Sequence, residues 1–296
     1  RSVDLTRWIH LVENTSAGSV ANKGLFVKSS APITAYYEIA NNVNPEIFSL
    51  KGKNALGKEF YIPSQFHFYN HNGAESIEIV AIEDKTEITV HVTDDVYGHA
   101  KNSTSTITLD KGQTYSLRAT KTGANTSLAG THIQSNKPIA VTISDDSVYL
   151  GGWDLVGDQL VPVNQLGTTY IVIQGDANPN HERIYIMAAE DNTEIDYNGD
   201  GITEATLDAG ESYWNILYAG AQYIETSKPV YVYHLTGHPA EAAAAILPPV
   251  ICTGSKQVGF VRTTEGTFTI MLLTQEGNEN SFILNAEPLD GSKFQP

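Results

Sequence analysis

The chain has 296 residues, 41% of them hydrophobic, with 18 Lys plus Arg against 34 Asp plus Glu and a formal net charge of −16. That is enough apolar material for real cores, and the acidic balance excludes nucleic acid as a partner, because neutralising a phosphate backbone needs a basic face. It argues equally against an anionic lipid surface, and no apolar run reaches the ~18 residues of a membrane-spanning helix.

The first residues, Arg1-Ser2-Val3-Asp4, carry no apolar signal core, so a targeting segment is expected to be removed or absent. Downstream, short runs alternate apolar and polar residues between turn signals, the pattern of half-buried strands. Ile77–Ala81 is the first, and Thr86–Val92 follows with Ile88, Val90 and Val92 on one face. Thr106–Leu109 enters the turn Asp110-Lys111-Gly112, and Gln113–Leu117 leaves it. Residues 240–246, Ala-rich, are expected to form one short helix of about two turns. No regular strand–helix alternation appears, which speaks against a doubly wound parallel sheet. The single Cys252 excludes an intrachain disulfide and reads as a small buried apolar residue.

Internal similarity organises the chain. Ile79–Ile88 recurs as Ile186–Ile195, 107 residues later, and Thr108–Tyr115 recurs as Thr206–Tyr213. A Ser-x-Pro or Ser-x-x-Pro block before an apolar strand occurs three times, with Pro32, Pro138 and Pro229. Leu56-Gly57 and Leu166-Gly167 open similar segments after the first two. Asp or Asn before Thr makes a turn, Asp-x-Gly a tight hairpin, and Pro sits at a strand start where no ladder donor is lost. The fold expected is all-β, with repeated antiparallel sandwich-like units. They divide as residues 1–130 with the N-terminal segment, 131–222, and a partial third unit over 223–296. That third copy is expected to start at Phe268–Leu273 and continue through Asn280–Leu284.

Ala81–Ile88, the hairpin from Leu109 to Tyr115 and Gly130–Val141 follow one another in an order that resembles the N-terminal domain of IgGFc-binding proteins. Trp153-Asp154-Leu155-Val156-Gly157-Asp158-Gln159-Leu160-Val161-Pro162, followed by Leu166–Tyr170, is similar to another stretch of that family. The resemblance covers about residues 24–261. It implies an extracellular, all-β, non-enzymatic binding region, often part of a large adhesive protein. Cysteines that animal members carry near these segments are missing, so disulfide bracing is not expected, and Fc binding attaches to no residue of this sequence.

The chemistry-bearing patterns are few. No nucleophile elbow, His-Glu-x-x-His or phosphate loop occurs. Glu83/Asp84 and Glu190/Asp191 are paired carboxylates of the kind glycoside hydrolysis uses, but they sit at the repeated turn and read as turn formers. His67 with His71, and His234 with His238 across a turn at Thr236-Gly237, have spacings that suit a metal as well as ordinary hydrogen bonding. Asp196-Tyr197-Asn198-Gly199-Asp200-Gly201 follows the opening of a calcium loop, so Asp196, Asn198, Asp200 and Glu204 are the candidate ligands for Ca2+. Leu207 stands where the closing bidentate Glu belongs, and a polar hairpin loop explains the same residues.

Two function classes stay open. One is a bacterial surface module for binding or adhesion, recognising a host or neighbouring-cell protein or glycan through Trp153, Asp154 and Tyr149, set in a long loop between Asp145 and Asp158. A tryptophan filling the core is the competing reading of Trp153. The other is a structural repeat of a filament or stalk whose only partners are adjacent domains; a glycoside hydrolase is a distant third. The expected location is extracellular or at the cell surface, without membrane insertion.

Overall fold

The computed structural model describes residues 2–294 except 40–44, 69, 71–72, 124–125, 178–179, 219, 239–240, 254–256 and 260–269. Two units divide the chain, Arg1–Gly259 and Phe260–Pro296. The first opens with one turn of helix, α1 (Ile9–Val12), and three strands, β1 (Val20–Ala21), β2 (Ala35–Ile39) and β3 (Glu46–Leu50). Then come β4 (Gly57–Tyr61), β5 (Glu75–Ala81), β6 (Thr86–His91), β7 (Thr104–Leu109), β8 (Thr114–Arg118), β9 (His132–Tyr149) and β10 (Trp153–Gln159). These seven and β1 make the first sheet. The second sheet repeats the order with β11 (Gly167–Ile173), β12 (Arg183–Ala188), β13 (Thr193–Asp196), β14 (Ala205–Leu207), β15 (Ser212–Ile216), β16 (Ala221–His238) and β17 (Glu241–Ile246). Each sheet is organised on one 18-residue strand, β9 or β16, and all its pairings are antiparallel.

The similarity of sequence is a similarity of hydrogen bonds. In the first copy the Asp110 carboxylate accepts from the Lys85 N–H at 2.9 Å, and the Asp84 carboxylate accepts from the Lys111 N–H at 3.0 Å. In the second, Asp208 accepts from Asn192 at 3.1 Å and Asp191 from Ala209 at 3.0 Å. The Thr86 hydroxyl donates to the Glu83 carbonyl and Thr193 to that of Glu190. Lys137 and Lys228, each just before the recurring Pro, donate to the carbonyls of Asp84 and Asp191. Lys85 and Asn192 both hold φ of 53°, and Gly112 and Gly210 hold 80° and 84°. Two turns are thus locked to each other and to the long strand, which is the physical content of Glu-Asp-x-Thr-Glu-Ile recurring with Leu-Asp-x-Gly. Leu-Gly recurs for a steric reason: a Cβ on Gly57 would lie 2.1 Å from Pro162 Cβ, and one on Gly167 2.5 Å from Pro249 Cβ.

β12 and β16 are apolar on both faces because both are covered. Ile184, Ile186, Val230 and Val232 fill the second sheet's own core, with Tyr170 and Ile224. The alternate residues Tyr185, Met187, Tyr231 and Tyr233 enter the core formed with the first sheet, beside Ile77, Ile143 and Leu160. Four tyrosines, Tyr170, Tyr185, Tyr231 and Tyr233, are fully buried. The Tyr231 hydroxyl donates to the Val161 carbonyl in the segment joining the copies, which supplies the partner that a buried phenol requires.

Three sequence expectations are corrected. Residues 241–246 form strand β17, pairing Tyr233↔Ile246 through His238↔Glu241, and not a helix. Six residues are too few to recover the cost of nucleating a helix, so the open edge of β16 overrides alanine's intrinsic preference. Thr236-Gly237 makes no turn, since β16 runs unbroken to His238. Cys252 is exposed, in a short 3-10 turn. The boundary placed at 130/131 falls just ahead of β9 and that at 222/223 falls within β16. Both strands bond to elements preceding them in the chain, so the sheets run across both positions.

In the second unit the described residues form one minimal hairpin, β18 (Ile283–Leu284) with β19 (Glu287–Pro288). Ile270–Leu273 lie outside any strand and are exposed, in place of the third strand copy read from Phe268–Leu273; Phe268 and Thr269 fall outside the described residues.

Candidate functional site

The segment read as a long loop between Asp145 and Asp158 is a hairpin. Its turn is Leu150-Gly151-Gly152, with Gly151 at φ 110° and the Leu150 N–H donating to the Gly152 carbonyl. Tyr149 and Trp153 pair across it, their rings 4.7 Å apart and tilted by 48°. They are 46% and 39% exposed, so Trp153 is an exposed aromatic and not a core filler. Asp154 turns the other way. It is 2% exposed, and its carboxylate accepts from the Ala242 N–H at 2.8 Å. Burial raises its pKa. The three residues singled out therefore split into a surface aromatic pair and a buried anchor beneath it.

The anchor is one of a pair. Asp158, four residues along β10, accepts from the Ile246 N–H at 2.8 Å and from Lys51 Nζ at 2.5 Å. Two carboxylates of one copy thus satisfy backbone donors on the edge strand of the other, a junction made through side chains instead of a ladder. Glu46 of β3 lies against the same seam, 8% exposed and with its Oε2 unpartnered. Burial pushes its pKa up to about 8, against the Ile47 N–H bond and with Asp154 and Asp158 adding to the rise.

Sequence reasoning missed a second aromatic group. Phe66, His67 and Phe68 reach from the segment after β4 to β12 and β15 of the second copy. The His67 ring lies 3.8 Å from that of Trp214, and Phe66 meets Tyr185 edge-on at 5.2 Å. The Arg183 guanidinium lies 5.2 Å from the Phe68 ring and 5.5 Å from the Trp214 ring. Trp214 and Tyr218 are 38% and 69% exposed. Strand register places this group and the Tyr149–Trp153 hairpin at the same end of the first unit. Arg183 and Ile216 pair where β12 begins, Asp154 meets β17 near its start, and the locked turns lie at the opposite end of β5 and β12. The cue in the sequence was Phe66-His67-Phe68, an aromatic run without strand alternation, together with Trp214 at an edge.

The remaining candidates are less concentrated. Ligand atoms of Asp196, Asp200 and Glu204 lie within 4.8 Å of one another in the hairpin loop from β13 to β14. The Asp196 carboxylate accepts from the N–H groups of Asn198, Gly199, Asp200 and Gly201, which overcome its partial desolvation and lower its pKa. Asn198 donates to Glu204 and accepts from Gln222. Oxygen donors of this kind suit Ca2+, although Asp196 and Asn198 already bond within the loop. His234 and His238 do not converge. One bonds Glu182 at 2.7 Å and the other Asp176 at 2.6 Å. His71 lies outside the described residues. Two shallow depressions of about 480 and 420 Å3 open over β4 and its neighbours, the first lined by polar residues such as Lys58, Glu59 and Gln134, the second largely by apolar ones such as Leu56, Pro138 and Val163.

The model of the family described as IgGFc binding protein matches residues 48–296. The chain belongs to that family. The matched stretch holds both copies of the sheet, the aromatic hairpin and the second aromatic group. Neither curated proteins nor solved structures give a match. This member of the IgGFc binding protein family has, among its described residues, no helix long and apolar enough to cross a membrane.

Proposed function

We propose that the protein is a non-enzymatic extracellular module of a bacterial surface protein that binds a protein or glycan through Tyr149 and Trp153. The observation that carries this reading is the exposed, mutually packed aromatic pair on a hairpin whose base is tied down by Asp154. Rigid exposed aromatics give contact area with little ordering loss, and fixing the hairpin before binding lowers that loss further. Family membership supports a binding role over a catalytic one. In this reading Asp154 acts by positioning the hairpin. The test is an array of glycans, host proteins and IgG Fc probed with wild type and Trp153→Ala. The expected result is a binder whose signal drops at least ~10-fold in the variant at unchanged thermal stability. An array without a binder, or a variant equal to wild type, counts against it.

The same reading includes a Ca2+ held by Asp196, Asn198, Asp200 and Glu204, supported by the convergence of three carboxylates. Calorimetric titration with calcium should give heat that Asp200→Ala removes. A second function is favoured by exposed Ile270-Met271-Leu272-Leu273. An apolar run of this kind suits docking against an adjacent domain of a stalk. Light scattering on a chain extended by its neighbouring domain distinguishes docking from free tumbling.

A further inference from the structure

Among the described residues, Arg183 is a cation without an anion. The protein has 34 carboxylate side chains, yet none forms an ion pair with Arg183 among the described residues. The side chain is half-buried, with its Cζ 5.2 and 5.5 Å from the ring centres of Phe68 and Trp214. Nη1 donates to the carbonyls of Asn180 and Glu182. Nε is buried and has no acceptor among the described residues. The neighbouring His181, whose ring meets Phe68 edge-on, likewise has a buried Nδ1 without a partner. Desolvation lowers the pKa of Arg183, and the groups acting on it electrostatically are Tyr185 and Tyr218, not a carboxylate.

A half-desolvated guanidinium with an unused N–H is an expensive arrangement, and buried polar atoms without partners need an explanation. With Nη1 on the two carbonyls and Nε buried, Nη2 is the edge of the guanidinium left for an incoming carboxylate among the described residues, and the two rings hold the cation in place. Tyr218 is 69% exposed and follows Leu217, whose N–H donates to the Glu182 carbonyl, so it stands beside the same cation. A flat apolar face beside a fixed carboxylate receptor is what a carboxylated sugar requires, with ring C–H groups on the aromatic and the acid on the Arg. An acidic peptide would use the Arg and leave Tyr218 without a function. The repulsion from a net charge of −16 explains why the anion is met by one shielded, pre-oriented Arg and not by a basic surface.

We propose that Phe68, His181, Arg183, Trp214 and Tyr218 form a receptor for the carboxylated end of an acidic saccharide. Arg183 binds the carboxylate, Trp214 and Phe68 hold the guanidinium, and Tyr218 takes the sugar face. The proposal rests on the binding-module reading, but it is a site separate from the Tyr149–Trp153 hairpin.

The experiment is a glycan array carrying sialyl, glucuronyl and galacturonyl ends, each beside its neutral counterpart, probed with wild type, Arg183→Lys, Tyr218→Ala and Trp153→Ala. Arg183→Lys keeps the charge and loses the fork, and Tyr218→Ala alters an exposed ring, so both are expected to fold; circular dichroism and thermal melts verify this. The expected result is at least ~10-fold preference for a carboxylated end over its neutral form, lost in Arg183→Lys and reduced in Tyr218→Ala. Equal binding of acidic and neutral ends, full binding by folded Arg183→Lys, or binding of an acidic peptide with no acidic glycan overturns it. Loss of binding in Trp153→Ala alone would leave the hairpin reading standing while this one falls.

Discussion

Glu75 and Glu182 stand at the same place in the two copies, 107 residues apart, each at or just before the strand that leads to the locked turn. Their surroundings are opposite. Glu182 accepts from the His234 ring, the Thr236 hydroxyl and the Gly175 N–H, all at one oxygen. Glu75 faces a second carboxylate, Asp145, its partner in the β5–β9 ladder. Asp145 is held by the amides of Gln65 and Asn70 at 2.6 and 2.7 Å, and Glu75 accepts from the Leu128 N–H. Burial followed by Asp145 pushes the Glu75 pKa well up, and burial pushes that of Asp145 to about 6. A duplicated framework therefore fixes where a buried carboxylate sits, while its partners differ, a His ring and a hydroxyl in one copy and a second carboxylate in the other.

This difference is open to attack. Glu182→Leu should lose about 3 kcal/mol in urea unfolding, since it strands His234, Thr236 and an N–H at once. By contrast, Glu75→Gln should stay within about 1 kcal/mol, because the amide keeps an acceptor for the Leu128 N–H and removes the carboxyl that faces Asp145. Equal losses would erase the comparison. The pH dependence comes next in size. Asp145 has its folded pKa raised from 3.8 to about 6, so its contribution is full below the unfolded value and declines as pH rises through 6. The decline is on the order of 1–3 kcal/mol, and Asp145→Asn, which removes the titrating group, should abolish it. Stability rising over that interval would show the sign to be wrong. The turns test likeness instead of difference. Asp110→Ala and Asp208→Ala should each lose about 1 kcal/mol, within a few tenths of each other, as one hydrogen bond of equal geometry is removed from each. Trp153→Ala should change stability by less than about 0.5 kcal/mol, as expected for an exposed site.

What was legible in the sequence follows the same division. The all-β class and the duplicated turns could be read because turn chemistry is local: Asp, Thr and Gly act on backbone groups a few residues away or across one hairpin. The strand at 241–246 could not be read from composition, since what makes it a strand is the edge of β16. Its place after the long strand, matching that of β10 after β9, was the available signal. Trp153 and Tyr149 were found as loop aromatics, but the inward turn of Asp154 depends on Ala242, 88 residues away. The Arg183 group combines residues from both copies, and no local pattern shows that Phe68 and Trp214 meet.

If recognition sits at the end of the first unit opposite the locked turns, array binding by the double variant Trp153→Ala/Arg183→Lys must differ from that by Lys137→Ala, a variant at the other end. Binding is expected to be lost in the first and kept in the second, with both folded. Binding kept in the double variant and lost in Lys137→Ala would contradict this placement.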